Sequence, residues 1–164
     1  MTIHYDISIQ SPDWEREEAL KSLVDKVLDA TLQQAGFEKI DSELSLVFTD
    51  DASIRTINDK WRHIDKATNV LSFPAFVLTP GQKPGPILGD IVVAYETVIS
   101  EANEQNKTFN DHLSHLVVHG LLHLLGYDHQ NDEEAEQMEQ LERKILATIG
   151  ISDPYANSSQ TESC

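Results

Sequence analysis

The sequence contains almost no cysteine and no long apolar run. Its single cysteine is Cys164, so no internal disulfide can form. One cysteine is typical of a reducing compartment, and it leaves histidine and carboxylate side chains as the available metal ligands. No apolar run approaches the roughly 18 residues that a membrane span needs. Residues 1–6 have neither the basic region nor the apolar core of a signal peptide. We therefore expect a cytoplasmic protein with no membrane partner.

Basic residues are also scarce, because 12 lysines and arginines face 28 acidic residues and give a net charge of −16. This balance argues against nucleic-acid binding, which usually requires a basic surface for phosphate contacts. The cations are clustered, however, since Arg55, Lys60, Arg62 and Lys66 lie within residues 55–66, whereas acidic residues concentrate at 132–136. The sequence therefore allows a local cationic patch on an acidic protein. The alternative is that the basic cluster and the acidic cluster are both ordinary solvated surfaces.

Three of the seven histidines lie within residues 119–129. His119 and His123 are four residues apart in an apolar stretch that predicts a helix, and residues at this spacing share one helix face. Gly126 suits the left-handed conformation that ends a helix, so the chain can return and bring His129 to the same ion. Three protein nitrogens with an open fourth position are typical of a catalytic zinc site. We predict one Zn²⁺ ion bound by His119, His123 and His129.

The spacing H-x-x-x-H-x-x-G-x-x-H is shared with the metzincin peptidases, but one residue differs. Those enzymes carry a glutamate directly after the first histidine as the general base. Gly120 occupies that position here and cannot accept a proton. The motif therefore predicts a hydrolase without the peptidase base, and a metallopeptidase is a less favoured alternative.

Hydrophobic periodicity predicts one α+β domain over residues 1–151, with a mixed sheet of about four strands and helices packed on it. Strands are predicted at 3–9, 44–48, 70–73 and 87–94. A helix over 20–31 ends by Gly36, and a short helix begins at residues 50–51 with Ile54, Ile57 and Trp61 on its buried side. Further helices are predicted at 97–103, after Thr108 and after Asn131. Residues 152–164 lack periodicity, which predicts a disordered tail.

Three stretches together resemble a known family. Residues 119–129 resemble the HGxLHLxGYDH signature of the YbeY proteins, and residues 58–74 and 88–91 match two further motifs in the same order. YbeY proteins are bacterial endoribonucleases of ribosomal RNA maturation. The resemblance implies a zinc-dependent, single-strand-specific endoribonuclease that acts in 16S rRNA 3′-end maturation and in ribosome quality control. The fold of the family agrees with the predicted α+β class.

Arg62 is the candidate for stabilising charge in the transition state. Its planar guanidinium can bind a phosphate through two hydrogen bonds, which lysine cannot do. The resemblance agrees, because the family associates activity with the arginine at this position of the motif. Lys66 is a second, weaker candidate for substrate binding. The alternative for Arg62 is a surface ion pair with Asp59 or Asp65.

The sequence does not identify the general base. Asp128 precedes the third predicted ligand and is expected either to orient a ligand imidazole or to accept a proton, with the orienting role favoured. Asp90 either faces the site or caps a turn, and the 2′-hydroxyl of RNA is a third possibility. His115, one turn before His119, is predicted to be a core histidine, with a hydrogen bond near the site as the alternative.

Two other functions compete with the nuclease. One is the metallopeptidase, and the other is a non-catalytic ribosome-assembly factor whose zinc is structural. An acidic protein with one small cationic patch is expected to need a partner for specificity. The resemblance implies small-subunit ribosomal proteins and an assembly GTPase as such partners, with single-stranded ribosomal RNA as the substrate.

Overall fold

A computed structural model describes residues 2–37 and 40–155, which form four strands and five helices. The strands are β1 (Thr2–Ile9), β2 (Asp41–Thr49), β3 (Val70–Pro74) and β4 (Ile87–Ala94). The helices are α1 (Glu17–Ala35), α2 (Asp51–Arg62), α3 (Tyr95–Glu104), α4 (Phe109–Leu124) and α5 (Asp132–Thr148). The predicted α+β class is therefore confirmed. None of the described helices is long and apolar enough to cross a membrane.

The four strands form one mixed sheet in the order β1-β2-β4-β3. β1 pairs with β2 and β2 pairs with β4 in parallel, whereas β3 pairs with β4 in the antiparallel direction. Helix α1 connects two adjacent parallel strands, as a crossover between parallel strands requires. The single antiparallel edge strand, β3, makes the sheet mixed, as the sequence predicts.

Helices cover both faces of the sheet, and this explains the continuous apolar run at residues 91–94 of β4. On one face, α1, α4 and α5 pack over the larger core, which includes Leu46, Ile91 and Leu121. On the other face, α2 packs over a smaller cluster of four buried residues, which are Ile54, Leu71, Val92 and Ala94. A strand buried on both faces carries apolar side chains in both directions. Helices α2 and α4 therefore lie on opposite sides of the sheet.

The predicted helix starts are confirmed by side-chain caps. The capping residues of α2, α4 and α5 are Asp50, Thr108 and Asn131. In each case the side-chain oxygen accepts a hydrogen bond from the backbone N–H three residues later, at Ser53, Asp111 and Glu134. These bonds satisfy N–H groups that have no partner within the helix. Helix α3 is different because it begins at Tyr95, directly after β4 and without a side-chain cap.

The prediction that Trp61 is buried is wrong. Ile54 is fully buried and Ile57 packs against the smaller cluster, but Trp61 is 64% exposed and lies outside that cluster. All three residues recur at helical spacing, so the sequence pattern does not distinguish them. Trp61 lies in the last turn of α2, just before His63 ends the helix in a left-handed conformation. The indole therefore lies at the end of the helix rather than over the sheet.

The start of the predicted tail contacts α5. Asp153 accepts a hydrogen bond of 3.2 Å from Arg143, and the hydroxyl of Tyr155 donates one to Glu142. Residues 152–155 are therefore held against the domain at these two positions. Residues 156–164, most of the predicted disordered segment, lie outside the described residues. The division into a domain over 1–151 and a tail over 152–164 stays a prediction.

Candidate metal centre

Helix α4 carries the first two histidines and is buried along most of its length. Gly120 explains how closely this helix approaches the sheet, because a Cβ atom there would lie 3.3 Å from Cδ1 of Ile91. The position after His119 thus faces the apolar core beneath the helix. A glutamate at Gly120 would place its carboxylate in that core rather than beside the imidazoles. The packing therefore gives a physical reason for the absence of a peptidase base.

His119, His123 and His129 come together at the C-terminal end of α4. Each offers one ring nitrogen, and the three ligand atoms lie within 4.8 Å of one another. The Nε2 atoms of His119 and His123 are 3.1 Å apart, as the shared helix face predicts. His129 reaches the group from the segment after α4 and is the exposed member. Three imidazoles at these separations are a suitable ligand set for one transition-metal ion.

Glu142 of α5 fixes the orientation of His119. Its side chain is fully buried, and one carboxylate oxygen lies 2.5 Å from Nδ1 of His119. The other oxygen lies 3.3 Å from Nε2 of His115 and accepts the hydrogen bond from the hydroxyl of Tyr155. A carboxylate only accepts hydrogen bonds, so Nδ1 of His119 must carry the proton. Nε2 of His119 then has a free lone pair directed towards the other histidines.

The protonation state of His123 also favours metal binding. Burial and the positive charges that His119 and His129 would carry lower the pKa of His123 to about 4. His123 is therefore neutral at physiological pH, which a metal ligand requires. Burial alone would disfavour the ionised form of Glu142, but the hydrogen bonds from His115 and His119 hold its pKa well below the ordinary value. The site thus combines a neutral His123 with one buried anion, Glu142.

Within the described residues, neither candidate aspartate forms a hydrogen bond with one of the three imidazoles. Asp128 accepts a hydrogen bond of 2.8 Å from the backbone N–H of His129, so it shapes the segment that carries the third histidine. Glu142 makes the contact that orients His119, and the role predicted for Asp128 stays a prediction. Asp90 is exposed on β4, and it alternates with Ile91, which packs on the α4 side. Asp90 therefore lies on the face of the sheet that α2 covers.

Arg62 and Lys66 lie outside α4 and are not members of the histidine group. Arg62 is the last residue of α2, Lys66 follows in the next segment, and both are exposed. Within the described residues, neither side chain forms an ion pair or a hydrogen bond with a histidine of the group. Asp65, an alternative partner for Arg62, is bound instead by two nitrogens of Arg55, at 2.7 and 3.2 Å. The described structure thus leaves the Arg62 guanidinium available.

Gly126 brings the segment before β4 against the end of α4. It has a φ of 103°, and a Cβ atom there would lie 2.5 Å from the backbone oxygen of Leu78. We expect Gly126→Ala to destabilise the protein by about 3 kcal/mol, because the left-handed conformation and the backbone collision both oppose it. Urea denaturation measures this loss, and zinc titration tests whether the displaced segment also weakens binding through His129.

Gly36 provides the matched control for this substitution. It also has a positive φ, of 85°, but a Cβ atom there would meet nothing within 4 Å. Gly36→Ala is therefore expected to cost only about 1–2 kcal/mol, from the backbone conformation alone. Equal losses of stability in the two variants would show that the contact with Leu78 contributes nothing.

Sequence reasoning missed Glu142, although the sequence contains a signal. Met138, Leu141, Ile145 and Leu146 form the apolar side of α5, and Glu142 lies among them at helical spacing. A carboxylate on the buried side of an amphipathic helix needs a partner, because an unpaired buried charge is costly. The pattern therefore indicates a buried acceptor. It does not identify His119 as the partner, since that contact joins two different helices.

The comparisons with known proteins concern nearly the whole chain. Residues 6–150 match the model of the family described as Endoribonuclease YbeY. A curated relative from Agrobacterium fabrum (strain C58 / ATCC 33970), named Endoribonuclease YbeY, is 58% identical over 156 residues, with 92% of this chain and 93% of the relative covered. A relative of the same name from Bartonella bacilliformis (strain ATCC 35685 / KC583 / Herrer 020/F12,63) is 51% identical over 153 residues, with 93% and 97% covered.

A solved structure supports the fold. The solution structure of TM1509 from Thermotoga maritima matches with a TM-score of 0.56, and the match covers 90% of this chain and 91% of the other. The two sequences are only 24% identical. This similarity therefore concerns the arrangement of strands and helices alone.

Proposed function

This chain belongs to the YbeY family of endoribonucleases, and we propose that it cleaves single-stranded ribosomal RNA with one zinc ion held by His119, His123 and His129. The family membership rests on the match over residues 6–150 and on relatives of 51% to 58% identity. The choice of zinc rests on the ligand set, because three imidazole nitrogens suit zinc better than magnesium or calcium, which prefer oxygen ligands.

One observation supports this proposal more than any other. Three imidazole nitrogens converge within 4.8 Å, and no fourth histidine, cysteine, aspartate or glutamate joins them in residues 2–37 and 40–155. A structural zinc site usually fills all four positions with protein ligands, whereas a catalytic site keeps one position open. The ligand count therefore favours catalysis over a purely structural ion.

In the proposed mechanism, each residue of the site has a separate role. Bound at this site, zinc supplies a Lewis acid for a phosphodiester. Glu142 holds the proton on Nδ1 of His119 and so keeps Nε2 available as a ligand. We assign to Arg62 the binding of the non-bridging phosphate oxygens, because negative charge increases on these atoms in the transition state. Lys66 adds a second cation for substrate binding. Asp128 positions the backbone of His129.

The physiological role follows from the family and is part of the proposal. We propose that the enzyme acts in the cytoplasm on ribosomal RNA, in 16S 3′-end maturation and in ribosome quality control. We also propose that small-subunit ribosomal proteins and an assembly GTPase direct it to its substrate. A net charge of −16 supports the need for such partners, because it disfavours binding to arbitrary RNA.

Arg62→Ala tests the catalytic part of this proposal. With an end-labelled ribosomal RNA fragment and zinc-loaded protein, we expect kcat/KM to fall about 10²- to 10³-fold, because one charged donor to the transition state is lost. Arg62→Lys should recover only part of the loss, since the ammonium cannot form the paired hydrogen bonds. The product ends identify the nucleophile, because a cyclic phosphate indicates attack by the 2′-hydroxyl and its absence indicates hydrolysis.

Arg55 of the same helix is the matched control. Its guanidinium is already bound to Asp65, so Arg55→Ala is expected to leave cleavage within about twofold of the wild type and to cost only a surface ion pair. Equal effects of the two substitutions would contradict the role of Arg62. If the wild type itself fails to cut RNA with zinc present, the nuclease proposal fails. The non-catalytic assembly factor would then be preferred.

A further inference from the structure

Trp61 presents a large aromatic surface that the mechanism does not use. The chain contains two tryptophans, and they have opposite environments. Trp14 is 7% exposed and donates a hydrogen bond of 2.7 Å to the backbone oxygen of Thr49, whereas Trp61 is 64% exposed. Ile64, 40% exposed, lies three residues further along. An exposed indole at this position contributes nothing to the described core, so its role is to be sought in binding.

Two cations flank this indole in a chain that is otherwise strongly acidic. The Nζ atom of Lys60 lies 5.3 Å from the centroid of the Trp61 ring, and Arg62 is the next residue. Arg55 and Asp65 neutralise each other. Lys60 and Arg62 flank Trp61 in the chain and Asp59 precedes them, which leaves two positive charges against one negative charge, or +1, in a chain of net charge −16. The segment around Trp61 therefore combines an aromatic ring with a net positive charge.

Aromatic rings next to lysine and arginine are a recurring means of binding single-stranded nucleic acid. Each unpaired base has a π-face that can stack on the ring, and the cations bind the adjoining phosphates. A purely apolar protein partner fits less well, because it would have to cover Lys60 and Arg62 without neutralising them. Double-stranded RNA also fits less well, because its bases are already stacked and unavailable.

We propose that Trp61 is a stacking platform for an unpaired base of the RNA substrate, with Lys60 and Arg62 on the neighbouring phosphates. This inference rests on the proposed function and adds a base-binding site to it. It explains why the end of α2 carries an exposed indole directly beside the arginine assigned to the transition state. It also gives a physical basis for single-strand specificity, since only an unpaired base can occupy the platform.

The test measures RNA binding separately from cleavage. Zinc-loaded protein is titrated with a short unstructured 2′-O-methyl oligoribonucleotide, which is checked by gel to be intact afterwards. Trp61→Ala is expected to raise Kd about tenfold, the typical loss for one stacked base. Trp61→Phe should recover most of the affinity. The slope of log K against log salt should not change in Trp61→Ala, but should fall by about one in Lys60→Gln, because only the latter removes a phosphate contact.

Tryptophan fluorescence gives a direct second measurement. RNA should quench the emission of exposed Trp61, and the quenching should disappear in Trp61→Phe, which retains only buried Trp14. Ile9→Ala is the control for loss of an exposed apolar side chain, since Ile9 is 36% exposed and lies on β1, at the opposite edge of the sheet from β3. It should bind RNA as the wild type does, with thermal melting confirming that every variant is folded.

The outcomes separate this inference from the proposed function. If the wild type cuts RNA and Trp61→Ala binds and cuts equally well, the stacking site is refuted and the nuclease remains. Unchanged emission of Trp61 on RNA binding would also refute it and would suggest a protein contact at this position. If the wild type neither binds nor cuts RNA, the proposed function fails and the inference fails with it.

Discussion

Replacement of His129 with alanine is expected to reduce RNA cleavage at least about a thousandfold while leaving the fold intact. Loss of the third ligand removes the metal. The positive charge of the metal stabilises the transition state by several kcal/mol, and each increment of about 1.4 kcal/mol changes the rate tenfold. Folding should survive because His129 is exposed and lies outside the core of the described structure. Metal analysis should find about one zinc per wild-type chain and almost none in the variant.

A chelator should have the same effect on the wild type, and restored zinc should reverse it. His4→Ala is the matched control, because His4 is 65% exposed on β1 and is paired with Asp41 rather than with the metal group. This variant should keep both its zinc and its activity. Full cleavage by His129→Ala would exclude the metal centre as the source of activity. Unfolding of His129→Ala, with His4→Ala still folded, would indicate a structural ion instead.

Glu142→Gln is expected to lower zinc affinity about 10- to 100-fold, the usual effect of losing the carboxylate that orients a ligand histidine. The amide has the same shape but carries no charge, and its NH₂ group faces donors rather than acceptors. The buried hydrogen bonds to His115 and His119 are weakened together, so we also expect unfolding to require about 2 kcal/mol less free energy. Zinc titration and urea denaturation measure the two effects separately.

Rescue by zinc separates a positioning residue from a catalytic one. If Glu142 acts through His119, saturating zinc should restore most of the cleavage by Glu142→Gln. A low rate that persists at full zinc occupancy would contradict this role. Glu139→Gln is the control on the same helix, because Glu139 is 40% exposed and its nearest ion pair, with Arg143, spans 3.9 Å. Exposed pairs of this kind contribute little to stability, so this variant should resemble the wild type.

Much of the fold could be predicted because the signals are local. Alternation of apolar residues in β1 and β2, and the caps at Thr108 and Asn131, depend on neighbours a few residues away. Trp61 shows the limit of such patterns. Its spacing from Ile57 is helical, but burial depends on how far the sheet extends beneath α2, and periodicity carries no information about that distance. Only the position of α2 on the sheet shows that the Trp61 indole is exposed.

The sequence by itself predicted which three histidines come together. Residues four apart share a face on any α-helix, and Gly126 permits the turn that returns His129, so this geometry follows from backbone rules alone. Only the tertiary structure decided what holds these histidines in place. Glu142 reaches His119 from another helix, 23 residues along the chain, and Gly126 contacts Leu78 from a distant segment. Such contacts depend on how helices and loops pack together, which no local spacing specifies.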